Sequence, residues 1–149
     1  MDHLVVPTIS SSCAGPLGIL HLPRLWLKIS LHAAGRLPAG YRHGVGGFDE
    51  RLCTNLGIDR DAFVAYIEQE KPTYLELEAW VREHATKLDA ESIAAHNRAI
   101  MTGEMPAEIA NERRRDAGVT DLSLTRAVAL NDLDDWAAIH RQITTSAPA

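Results

Sequence analysis

Cysteine is scarce in this 149-residue chain: Cys13 and Cys53 are the only two, and they form neither a CxxC nor a CxxH pattern. A structural zinc site of the usual spacing is thereby excluded, and the two thiols read as buried and reduced. Basic residues are also in the minority, with fifteen Lys and Arg against twenty Asp and Glu and a formal charge of −5. Such a surface repels nucleic acid and anionic membranes. No apolar run reaches the roughly 18 residues of a membrane span, because Pro23, Arg24 and Lys28 interrupt the best candidate. Asp2 and His3 stand where a signal peptide carries Lys or Arg, so the expected compartment is cytoplasmic. There is no GK[ST] after the Gly-rich stretch near position 45, no HExxH, no internal repeat and no alternating strand pattern.

What is present is hydrophobic content of 46%, enough at this length for one domain without disulfide or metal staples. The segment from Leu22 to Arg36 is the most lopsided helix candidate. At about 100° per residue, Arg24, Lys28 and His32 fall in one arc roughly 80° wide, and nearly all the rest of the circumference is apolar. A helix buried on most sides that carries a cationic stripe needs an anion to meet it. The protein's own carboxylates are one source; an anionic or aromatic ligand is the other.

Residues 1–21, with Pro7, Gly15, Pro16 and Gly18 among short apolar runs, read as an extended arm laid over the body. Residues 22–143 read as the helical domain and 144–149 as a fraying tail. After the first helix, Pro38, Gly40, Gly44, Gly46 and Gly47 mark a loop that carries Tyr41, Arg42 and His43. Asp49, Asp59, Thr73 and Asp89 are each placed to cap a helix, Thr73 with Glu76 in a capping box. His84 reads as a core-edge histidine, and His96 lies beside the apolar face of its helix. A polar helix follows Pro106, its Arg113, Arg114 and Arg115 on a solvated face. The last segment, Asp121 to Gln142, has Leu122, Leu124, Val128, Leu130, Leu133, Trp136 and Ile139 as apolar anchors. Asp132, Asp134 and Asp135 read as acids at a helix N-terminus, one of them within reach of Arg24 or Lys28. The expected architecture is a compact all-α bundle of six to seven short helices.

In Leu22, Pro23, Arg24 and Lys28, then Tyr41, then Asp49, Leu52, Gly57, Ile58, Asp59 and Phe63, then Trp80, and finally Leu133, Asp134, Asp135 and Trp136, the chain resembles a bacterial family of about this length known as a domain of unknown function. The resemblance covers nearly the whole chain and implies no established activity. It departs from the family at Leu27, where an acid is usual, and at Val45 to Phe48, where a Cys-Pro-Leu-like stretch is usual.

The chemistry follows from the residue types. Arg24, Lys28, His32, Tyr41, His43 and Asp49, brought into one pocket, form a set able to move protons and hold developing negative charge. The expected function is a cofactor-independent lyase or isomerase of a small substrate, or a hydrolase. His32 or His43 carries the proton, Asp49 or Tyr41 orients it, Lys28 acts as base or cation, and Arg24 and Trp26 bind substrate. A metal held by His32, His43 and Asp49 is disfavoured by the cations beside it. The competing expectation is a non-enzymatic module that binds a metabolite or partner, its basic stripe spent on a structural ion-pair network. No cofactor is implied, and a homodimer is left open.

Overall fold

Among the described residues seven helices, all short except the last, form a bundle of two layers. The computed structural model describes residues 3–145; Met1, Asp2 and positions 146–149 lie outside it, and of the tail expected over 144–149, Thr144 and Thr145 belong instead to the last helix. The helices are α1 (Leu22–Ala33), α2 (Gly47–Leu56), α3 (Arg60–Glu70), α4 (Tyr74–His84), α5 (Ala90–Thr102), α6 (Ala107–Ala117) and α7 (Ala127–Thr145). One isolated antiparallel bridge, Glu104 with Arg126, is the only β pairing among the described residues. The chain is all-α, and no described helix is long and apolar enough to cross a membrane.

Local signals set most of the boundaries. Asp59, Thr73 and Asp89 accept hydrogen bonds from the backbone N–H groups of Ala62, Glu76 and Ser92, which fixes the starts of α3, α4 and α5. Gly57 ends α2 in the left-handed conformation, and Gly118 ends α6 in the same way. Asp49 caps nothing. α2 begins two residues earlier, after Gly46, which leaves the Asp49 carboxylate free to turn inward from the first turn. The acids near Trp136 do not mark a helix start either, because α7 already begins at Ala127 and puts Asp134 and Asp135 beyond its second turn.

The principal core joins α1 to α4. Leu22, Leu25 and Ile29 of α1 interlock with Leu52 and Leu56 of α2, Phe63 and Ile67 of α3, and Leu77 and Val81 of α4. Each of these side chains is essentially sealed from water, and full burial of such a group contributes about 1.5–3 kcal/mol. Trp26 belongs to this side. Its indole N–H donates to the Pro72 carbonyl at 3.0 Å and its ring meets Tyr74 edge-on. α5, α6 and α7 form the second layer, in which α7 packs on both α5 and α6, while α5 also packs on α2.

The segment before α1 is tied down along its length. Val5 N–H donates to the Arg36 carbonyl, Leu17 N–H to Glu78, and Leu20 N–H to Asn97. His96 is buried, bonded to the Leu20 carbonyl through Nε2 and to Asn55 through Nδ1. Four side chains depart from the sequence expectation. Cys13 is exposed while Cys53 is buried. Trp136 and Leu122 are 62% and 73% exposed, so neither anchors the core. Leu122 precedes α7 in a turn, and Trp136 lies on its outer face. His84 is exposed, stacked flat on Trp80.

Candidate functional site

The cationic stripe of α1 faces the seam between the two layers. Arg24 and Lys28 are buried there, at 4% and 6% exposure, and each meets a carboxylate brought by a different element. Arg24 holds Asp135 of α7 through two guanidinium nitrogens at 2.6 and 3.2 Å, and its Nη1 also donates to the carbonyls of Pro7 and Ile9. The Tyr41 hydroxyl donates to the same carboxylate at 2.9 Å. Burial, and then the negative charge of Asp135, push the Tyr41 phenol well above its ordinary value, so it stays protonated and a donor. Burial also raises the pKa of Asp135, against the opposing pull of Arg24.

Lys28 reaches Asp49, with Nζ at 2.8 and 3.0 Å from the two carboxylate oxygens. Two further donors converge on Asp49: His21 Nε2 at 2.7 Å and the Gly44 backbone N–H at 3.0 Å. Burial opposes the charge of Asp49, but the His21 hydrogen bond and the Lys28 ammonium outweigh it, and the pKa falls to about 2. An ionised carboxylate can only accept, so the His21 proton sits on Nε2. Nδ1 is then an acceptor for the Ser11 hydroxyl 2.9 Å away. Burial pulls the imidazole down to about 4, so His21 is neutral and its contact with Asp49 is a hydrogen bond, not an ion pair. Its backbone adopts φ 74°, a left-handed conformation that costs a non-glycine residue about 1–2 kcal/mol. Such strain persists where the surroundings over-determine it. Burial likewise lowers the pKa of Lys28, with Asp49 opposing.

Beside this network opens a cavity of about 390 Å³. Lys28, Arg24, His21 and Asp49 form its inner wall, and Tyr41 and Arg42 of the Gly-rich loop border it together with Phe48 and Arg51 of α2. Met105, Pro106, Ile109 and Arg113 close the far side, with Asp134 of α7 beside them. Four arginines and Lys28 therefore face three carboxylates, those of Asp49, Glu104 and Asp134, in a protein whose overall charge is −5.

Of the residues singled out in the sequence, Arg24, Lys28, Tyr41 and Asp49 meet at the cavity. His32, His43 and Trp26 do not line it. α1 ends one residue after His32, and that imidazole is exposed and stacks on His43 with ring centroids 3.6 Å apart. Trp26 points the other way, into the α1 to α4 core. His21 is the residue that sequence reasoning missed. It lies three residues before Arg24 and seven before Lys28, so extending the stripe one turn toward the N-terminus reaches it. Of the three arginines expected on a solvated face only Arg115 is exposed: Arg113 borders the cavity, where it pairs with Asp134 at 3.0 Å, and Arg114 is buried and donates to the Leu124 carbonyl. No group of three or more His, Cys, Asp or Glu placed to hold a metal occurs among the described residues.

The chain belongs to a family described as a domain of unknown function, DUF5069, whose model matches residues 9–137. The matched region takes in Ser11, His21, Arg24, Lys28, Tyr41, Gly44, Asp49 and Asp135, the side chains and the backbone donor of the network, and leaves out Pro7, whose carbonyl Arg24 also meets. No curated protein matches the chain.

Proposed function

We propose that the cavity takes a small anionic molecule and that the protein is a cofactor-independent lyase or isomerase in which Lys28 carries the proton. The observation behind this reading is the position of Lys28: buried, depressed in pKa, and yet on the wall of an open cavity. Its counter-ion, Asp49, is already stabilised by His21 and Gly44. The ammonium can therefore surrender a proton to the cavity without stranding the carboxylate. As a free amine, Lys28 would take a proton from a carbon next to a substrate carbonyl or carboxylate, leaving the electron pair on oxygen. Returning that proton at a neighbouring carbon is isomerisation; expelling a β-substituent is elimination. The cations around the cavity hold the charge that develops.

His21 serves differently. Both ring nitrogens are engaged, so it orients Asp49 rather than exchanging protons with a ligand, and the imidazole chemistry expected of His32 and His43 passes to the lysine. A second reading, a non-enzymatic module, rests on a specific observation. Arg24 is committed to Asp135 and to two backbone carbonyls, as a purely structural tie would be.

Competitive labelling separates the two. The chain has three lysines, Lys28, Lys71 and Lys87, and trace acetic anhydride at mildly alkaline pH acylates free amines in proportion to their availability. Mass spectrometry is expected to find Lys28 acylated faster than exposed Lys71 and Lys87. An unlabelled Lys28 beside two labelled lysines would leave it an inert ion-pair partner and sink the enzymatic reading.

A further inference from the structure

We infer that the outer half of the cavity seats the terminal phosphoryl group of a small phosphate monoester whose carbon body lies on the Phe48, Met105 and Ile109 wall. The inference rests on the proposed reading of the cavity as a small-molecule site and names the class of molecule.

The charges of the cavity are unevenly compensated. At the inner wall each cation has its own carboxylate, Arg24 with Asp135 and Lys28 with Asp49. On the far wall Arg113 has Asp134. The ion pairs among the described residues take in these groups and Arg60, and leave out Arg42 and Arg51. In a chain with an excess of acids, two guanidinium groups without a carboxylate are set at one opening.

They also converge. Arg42 folds back over the loop, its Nη1 3.1 Å from where a side chain on Gly46 would begin and 2.6 Å from the same point on Gly47. Arg51 lies over the ring of Phe48, the next residue, at 5.9 Å from the centroid. Glycine at 46 and 47 leaves the room that Arg42 occupies. Two forks with ten N–H donors between them, gathered at one turn, suit a group with two negative charges and several oxygens. A phosphate monoester carries about −1.5 to −2 at neutral pH, whereas a single carboxylate carries one charge. Phe48, Met105, Pro106 and Ile109 of the same lining are apolar and suit a carbon skeleton. The phosphoryl group is thus an anchor, and the other end of the molecule reaches Lys28.

Phenyl phosphate is the probe, since it joins a phosphoryl group to an apolar body and can be followed by ³¹P NMR and calorimetry on the full chain. It is expected to bind the wild type, more tightly than benzoate, and to bind Arg42→Gln and Arg51→Gln each about tenfold or more weakly, the effect of losing one charge-assisted contact. Both arginines are exposed, and circular dichroism checks that the variants keep the fold. Equal binding by wild type and both variants, no binding by the wild type, or benzoate binding as tightly as phenyl phosphate would each overturn the inference. Lysine labelling reads Lys28 alone and this titration reads the two arginines, so either proposal can fail while the other stands.

Discussion

Replacing Asp49 by asparagine tests the centre of the structure. The change is nearly isosteric, so its cost is electrostatic and not one of packing. Asp49 receives hydrogen bonds from His21, from Lys28 on both oxygens and from Gly44, all between 2.7 and 3.0 Å. Asparagine offers one accepting oxygen, and its amide nitrogen must face a donor whichever way it turns. The Lys28 ammonium is then buried beside a neutral amide. Removing one partner of a buried pair costs about 3–5 kcal/mol, because the surviving charge is uncompensated. For a chain of this size the melting temperature should fall by about 6–20 °C. Urea unfolding followed by circular dichroism measures the loss directly. The double variant Asp49→Asn with Lys28→Met removes the stranded charge as well and should recover about 1–3 kcal/mol of it, a coupling expected of groups in contact. A single-variant cost under about 1 kcal/mol, or a strictly additive double variant, would show that the pair is solvated and refute the reasoning.

Acid should weaken the fold well above the usual carboxylate range. The pKa of His21 is held at about 4 in the folded protein against 6.5 unfolded, so between these values the unfolded chain binds a proton that the folded chain refuses, and stability falls as pH falls. The loss amounts to about 3 kcal/mol once pH reaches 4. Asp49, lowered from 3.8 to about 2, adds to it in the same direction at still lower pH. Urea midpoints that stay flat from neutrality to pH 4.5 would contradict a neutral, buried His21. Gly57→Ala should cost about 1–2 kcal/mol for the left-handed backbone at φ 64°. It should cost more because the new methyl collides with the Thr86 hydroxyl; an unchanged melting temperature would mean that the α2 terminus reshapes freely.

Much of the helical framework was legible from the chain. Capping side chains at Asp59, Thr73 and Asp89 and the terminal glycines at 57 and 118 act within a turn of where they stand, so local spacing suffices to place them. The stripe of Arg24 and Lys28 was legible for the same reason, since a helix brings residues four apart to one face. Which end of that stripe is buried was not. His21 and His32 are both in phase with Lys28, one before it and one after. Only the segment before α1, through Ser11, and α2, through Phe48 and Asp49, enclose His21, whereas His32 is left exposed against His43. The partners of the cations were equally a matter of tertiary structure. Any of three neighbouring aspartates could be written opposite Arg24, but the starting point of α7 rotates Asp135 toward it and gives Asp134 to Arg113. Sequence thus determined the helices and the charges they carry, because those depend on neighbours a few residues away. The packing of the two layers decided which charges meet, which are left over at the cavity, and which histidine is enclosed, because those depend on contacts between residues up to 111 positions apart.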